Sequence, residues 1–154
     1  MIAVGRVAPD FTLPTDTGEP LRLRSLRGRP VVLYFYPADD TETCTVEACE
    51  FRDAFPRFDG QGATILGVSP DGVKSHAKFR AKYDLPFTLL ADTEHAVAEA
   101  YGVWQEKSMF GRTYMGVVRT TFVIDARGRL AHVFEKVKAR GHAAEVALAI
   151  ARLG

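Results

Sequence analysis

Residues 31–55, VVLYFYPADDTETCTVEACEFRDAF, decide how the chain is read. The run Val31-Val32-Leu33-Tyr34-Phe35-Tyr36 is bounded by Pro30 and Pro37. It is apolar throughout and rich in β-branched and aromatic residues, which predicts a buried central strand. The chain then turns polar from Ala38 to Thr43. Beyond it Cys44, Ala48, Phe51 and Phe55 recur at the spacing of one helix face, and Pro56 is expected to end that helix. Both cysteines of the chain, Cys44 and Cys49, lie on it, with Cys44 in the first turn.

Their spacing restricts their chemistry. On an ideal helix, Cα atoms five residues apart are separated by roughly 8.5 Å. A disulfide needs about 4.4–6.8 Å. The two thiols also point about 140° apart around the axis. They therefore pair only if the first helical turn unwinds. A redox-cycling pair fits this spacing better than a structural disulfide.

Composition sets the outer bounds. The 154 residues suit one domain with a real core, 1–154. Apolar residues make up 47% and charged residues 25%, an ordinary globular balance. A net charge of +1 gives no reason to expect a nucleic acid or an acidic membrane surface as partner. No apolar stretch approaches the roughly 20 residues that span a bilayer, and MIAVGRVAPDF lacks the apolar core of a signal peptide. A cytoplasmic, reducing location is the expectation, where cysteines are more often catalytic than structural.

Outward from the central stretch, Phe11–Leu13 and Leu21–Leu23 flank a turn with Gly18 and predict an N-terminal hairpin-like lead-in. Ser25–Gly28 reads as a short helical turn. Ala63–Ser69 reads as a second buried strand, 70–83 as a helix, and Thr88–Leu90 as a short strand. Asp92 is placed as the N-cap of a helix to Tyr101, with Gly102 just past its end. Trp104–Gly116 shows no clean period and reads as a loop. Thr121–Asp125 and Arg129–Phe134 predict an antiparallel pair, and His142–Leu153 a final helix with Val146, Ile150 and Leu153 on one face. The expected fold class is α/β: a central mixed sheet flanked by helices behind an N-terminal extension, similar to the thioredoxin-like arrangement.

The residues also carry a family resemblance. Pro37-x-x-x-Thr41-x-x-Cys44 resembles the active-site signature of the peroxiredoxins. Cys44-Thr45-Val46-Glu47-Ala48-Cys49-Glu50-Phe51-Arg52 is similar to the subfamily called bacterioferritin comigratory protein, or peroxiredoxin Q. Ala8-Pro9-Asp10-Phe11, Tyr101-Gly102-Val103-Trp104, and Tyr114-Met115-Gly116 with Arg119-Thr120-Thr121-Phe122-Val123-Ile124-Asp125 agree with it, in the same order. Glu42-Thr43 departs from the usual Pro-Gly of that subfamily, and Gln105 stands where a glycine is usual.

The chemistry follows from the residue types. A thiolate attacks one peroxide oxygen while the other leaves with negative charge. Helix N-termini and neighbouring cations favour the thiolate of a cysteine. Cys44, in the first turn, is the expected peroxidatic nucleophile. The resemblance implies that Arg119 reaches the site from a distant strand, where its fixed donors would hold both the thiolate and the leaving oxygen. Thr41 would bring a hydroxyl to the sulfur, and Pro37, lacking an N–H, would shield the pocket. Glu47 is a secondary candidate near the site. Oxidised Cys44, a sulfenic acid, condenses with a thiol, and Cys49 is the only other one in the chain. The resemblance implies recycling of the Cys44–Cys49 disulfide by thioredoxin or a similar dithiol, with hydrogen peroxide and organic hydroperoxides as substrates, and a monomer.

Rival readings differ in what they require. Cys44 as a small buried hydrophobe would need neither Thr41 nor Arg119. A thioredoxin-like disulfide oxidoreductase wants C-x-x-C, and C-x4-C departs from it. A non-enzymatic redox sensor or binding module would let the same helix unwind and present a new surface. The four histidines are scattered and no glycine-rich phosphate loop occurs, so chemistry without metal or cofactor is expected.

Overall fold

The computed structural model describes residues 2–153; Met1 and Gly154, the ends of the expected 1–154 unit, lie outside the described residues. A five-stranded sheet forms its centre. Its strands are β3 (Val31–Phe35), β4 (Thr64–Ser69), β5 (Thr88–Ala91), β8 (Thr120–Ile124) and β9 (Leu130–Phe134), ordered β5-β4-β3-β8-β9. β3 runs parallel to β4, and β4 to β5, while β8 lies antiparallel to both β3 and β9. The mixed, thioredoxin-like sheet expected from the sequence is the one observed.

β3 is buried at every position, and the two-residue period of a strand sends its side chains to two cores. Val32, Tyr34 and Tyr36 face α1 (Glu42–Asp53), α2 (Phe55–Gly60) and α5 (His142–Ala151), meeting Cys44, Ala48, Phe51, Phe58 and Val146. Val31, Leu33 and Phe35 face α4 (Ala96–Ala100), meeting Val97, Ala98 and Tyr101. α3 (Val73–Lys82) contributes Phe79 to the first core. The N-terminal hairpin is β1 (Thr12–Pro14) paired with β2 (Pro20–Arg22), followed by a 3-10 turn at Leu23–Leu26.

Three expectations are corrected. Trp104–Gly116 is not a loop but a β-hairpin, β6 (Trp104–Met109) paired with β7 (Arg112–Val117). Its strands are largely exposed, so no buried face imposed an apolar alternation that the sequence could display. The first helix ends at Asp53 rather than Phe55, and Phe55 opens α2 with Pro56 in its first turn, where a missing N–H costs nothing. Asp92 is not the N-cap residue of α4, which is His95. Its carboxylate nonetheless accepts from the amides of Val97 and Ala98, at 3.2 and 2.9 Å.

Two connections matter for function. β3 leads through Pro37–Thr41 into α1, and β7 leads through Val118 and Arg119 into β8. Because Phe35 pairs with Thr120, Arg119 emerges at the same end of the sheet as the start of α1.

Candidate active site

Thr41 stands at the N-cap of α1, which makes Cys44 the third residue of the helix, among amides that have no intrahelical carbonyl to meet. Cys44 is 2% exposed and its thiol is free, as is that of half-buried Cys49. Both sit on one intact helix, so they are held apart in this state, as their spacing requires.

Arg119 closes the site. Its Nη2 donates to Cys44 Sγ at 3.1 Å and its Nη1 to Glu47 Oε1 at 2.5 Å. Cys44 and Glu47 are three residues apart on α1 and therefore neighbours on its surface, so one planar guanidinium spans both. Glu47 is 1% exposed, and burial pushes its carboxyl up to about 7 against the pull of Arg119. Burial works against the charge of Arg119, but Glu47 and Cys44 outweigh it and raise the guanidinium above its ordinary value.

The remaining sequence candidates are placed less directly. Thr41 is exposed, and its hydroxyl donates to the carbonyl of Ala38 at 3.2 Å rather than to the sulfur. Pro37 is half-buried and lies two residues past the end of β3.

Sequence reasoning missed the groups that hold the loop. Asp39 accepts from Tyr36 Oη at 2.6 Å and Ser75 Oγ at 2.7 Å, and pairs with His76 Nδ1 at 2.8 Å. The other ring nitrogen of His76 meets the carbonyl of Leu90 at 2.9 Å. The Asp39 amide donates to Asp71, which also accepts from Ser69 Oγ. Asp40, in the left-handed conformation (φ +56°), meets Lys82 and Tyr83. The loop before Cys44 is thus tied to β4 and α3 through side chains 32 to 43 positions away, for which the sequence carries no periodic signal.

Tyr34 was missed too. It stacks on Tyr36 and Phe51, with centroids at 5.4 and 4.8 Å, and its hydroxyl is buried without a hydrogen-bond partner among the described residues. Burial raises its phenol well above the ordinary range, with Glu47 and then Cys44 adding to the rise. Two tyrosines on the inward face of a buried strand were the available sign of polar tips there. Lys107, on β6, donates to the Val117 carbonyl at 3.0 Å; burial and then Arg119 lower its ammonium below its ordinary value.

Comparisons with known proteins identify the family. Residues 4–133 match the AhpC/TSA family. The putative peroxiredoxin bcp of Coxiella burnetii is 54% identical over 145 residues, covering 94% of this chain and 96% of that protein. Peroxiredoxin Bcp of Bacillus subtilis is 50% identical, covering 94% and 92%. A solved structure of Xanthomonas campestris peroxiredoxin Q, 40% identical, superposes with a TM-score of 0.90 over 94% of this chain and 92% of that one. The chain belongs to the AhpC/TSA family, in its Bcp peroxiredoxin branch.

Proposed function

We propose that this chain is a thiol-dependent peroxidase in which residues 1–154 act as one thioredoxin-fold unit and Cys44 is the attacking sulfur. The observation that carries the reading is the Arg119 fork on Cys44 Sγ and Glu47, a fixed cation at the one cysteine placed at a helix N-terminus among the described residues. The Cys44 thiolate attacks the terminal oxygen of a hydroperoxide. The O–O bond breaks, an S–O bond forms, and the alkoxide or hydroxide leaves and takes a proton. Cys44 becomes a sulfenic acid. Arg119 is aimed at the region where that negative charge develops, and donors already in place there stabilise it without reorganisation. Thr41, whose hydroxyl would have to leave the Ala38 carbonyl to reach the sulfur, and Pro37, two residues past the end of β3, complete the rim.

Cys49 then attacks the sulfenic sulfur, water leaves, and a Cys44–Cys49 disulfide forms once the first turn of α1 has opened. Thioredoxin or a similar dithiol returns both thiols by disulfide exchange. The resolving thiol lies in the same chain, which supports a monomer, and the dithiol cycle suits the reducing cytoplasm.

The test is peroxide consumption under a thioredoxin reducing system. Wild type turns over, Cys44→Ser is inert, and Cys49→Ser consumes one equivalent and stops. Full turnover in Cys49→Ser would assign resolution to an external thiol. No consumption by wild type would overturn the peroxidase reading.

A further inference from the structure

A net charge of +1 does not say where the charges lie. At the end of the sheet opposite Cys44, where Val31 pairs with Ile124, three segments converge. The Gly28 amide donates to Ala126 O at 2.8 Å, the Ala8 amide to Gly128 O at 2.9 Å, and the Leu130 amide to Arg6 O at 2.8 Å. These bonds gather Arg6, Arg24, Arg27, Arg29, Arg127 and Arg129, all exposed. None of the six has a carboxylate partner among the described residues.

The acids nearby are already engaged. Asp10 is taken by Arg22 at 2.7 Å, and Asp125 spends one oxygen on the amides of Arg127 and Arg129. Arg24, Arg27 and Arg29 line one crevice with Asp10 and Asp125. The Arg27 side chain lies so close over Gly128 that an added Cβ would meet its Nε at 2.6 Å, so the two arginine-bearing turns are in direct contact.

We propose that this arginine face binds the phosphodiester backbone of duplex nucleic acid, without regard to sequence. Six cations without ion-pair partners among the described residues outnumber Asp10 and Asp125 beside them and form the field that a polyanion neutralises. All six are arginine, whose planar fork meets phosphate oxygens in pairs. A membrane surface would call for apolar anchors beside the charge. The exposed large apolar residues beside the arginines are two short valines, Val4 and Val7, whereas Met109, Phe110, Tyr114 and Met115 lie on the β6–β7 hairpin and Leu148 on α5. The β3 strand alone separates the face from Cys44 by about 13 Å, so binding leaves the thiol site open.

The measurement is fluorescence anisotropy of a labelled 20-base-pair duplex, titrated with the reduced protein across a salt series. Binding at low salt is expected, with a log–log salt slope of about −4 for four to five phosphates contacted. Arg24→Glu/Arg27→Glu/Arg127→Glu should weaken it more than about tenfold while peroxide turnover is retained. Arg6→Glu/Arg29→Glu serves if the triple variant does not fold. Lys74→Glu/Lys78→Glu on α3 should leave binding unchanged, and Cys44→Ser should bind as wild type does, which separates this proposal from the peroxidase reading. No binding at low salt, or equal binding by the arginine variants, would overturn it. So would capture by phosphatidylglycerol vesicles without duplex binding.

Discussion

Arg119 donates to the sulfur of Cys44 across 75 positions of sequence, and the same guanidinium reaches Glu47 one helical turn further on. The three groups form a chain of thiol, cation and buried carboxyl whose members cannot be altered independently.

Arg119→Met should lower the rate of the peroxide reaction by about 100-fold, the usual cost of losing one well-placed charged donor. Arg119→Lys should fall between, because a point charge replaces a fork that spans two partners. Stopped-flow measurement of Cys44 oxidation checks both. A rate unchanged in Arg119→Met would remove Arg119 from the chemistry.

Glu47 titrates in the folded protein near 7, above its ordinary 4.5. The folded state therefore holds more protons than the unfolded state between those values. Its contribution to stability is fully present below about 4.5 and is lost as pH rises through about 7. Glu47→Gln should flatten that decline. The difference in unfolding free energy between pH 4.5 and pH 8 should shrink by roughly 3 kcal/mol relative to wild type, at 1.36 kcal/mol per unit. Urea unfolding at both pH values reads this directly, and parallel pH profiles for the two proteins would contradict it.

Asp39→Ala strips Tyr36, Ser75 and His76 of a shared acceptor inside the core. It should cost about 3 kcal/mol, the range for breaking a buried hydrogen-bonded pair. Since Asp39 also anchors the loop before Cys44, amide exchange in residues 38–44 should quicken more than the global loss accounts for. Uniform quickening throughout the chain would show that the network supports the fold and not the loop in particular.

Gly67 lies beneath Tyr34. An added Cβ would sit 2.8 Å from Leu89 Cδ2 and 2.9 Å from Tyr34 Cζ. Gly67→Ala should therefore destabilise by about 1–3 kcal/mol through overpacking, despite the better strand propensity of alanine. It should also slow the peroxide reaction by displacing Tyr34 toward the Cys44 and Glu47 side of the core. A stability equal to wild type would mean that the ring simply shifts.

The sequence by itself determined the core strand, read as 31–36 and observed as 31–35, the helix that carries both cysteines and the order of the other strands of the central sheet, because each is written in a local pattern of apolar residues. Spacing and residue type marked Cys44 and Cys49, and the resemblance to the peroxiredoxins added Pro37, Thr41, Glu47 and Arg119. The sequence did not reveal the β6–β7 hairpin, whose exposed strands carry no apolar alternation. Nor did it reveal the Asp39–His76 clamp, the unpartnered Tyr34 hydroxyl, or the gathering of arginines from residues 6, 24–29 and 127–129. Those are pairings between distant segments. They exist only once parallel and antiparallel strands have brought the segments to a common end of the sheet, and hydrogen bonds and Coulomb forces depend on distance in space, which a net charge or a local period does not encode.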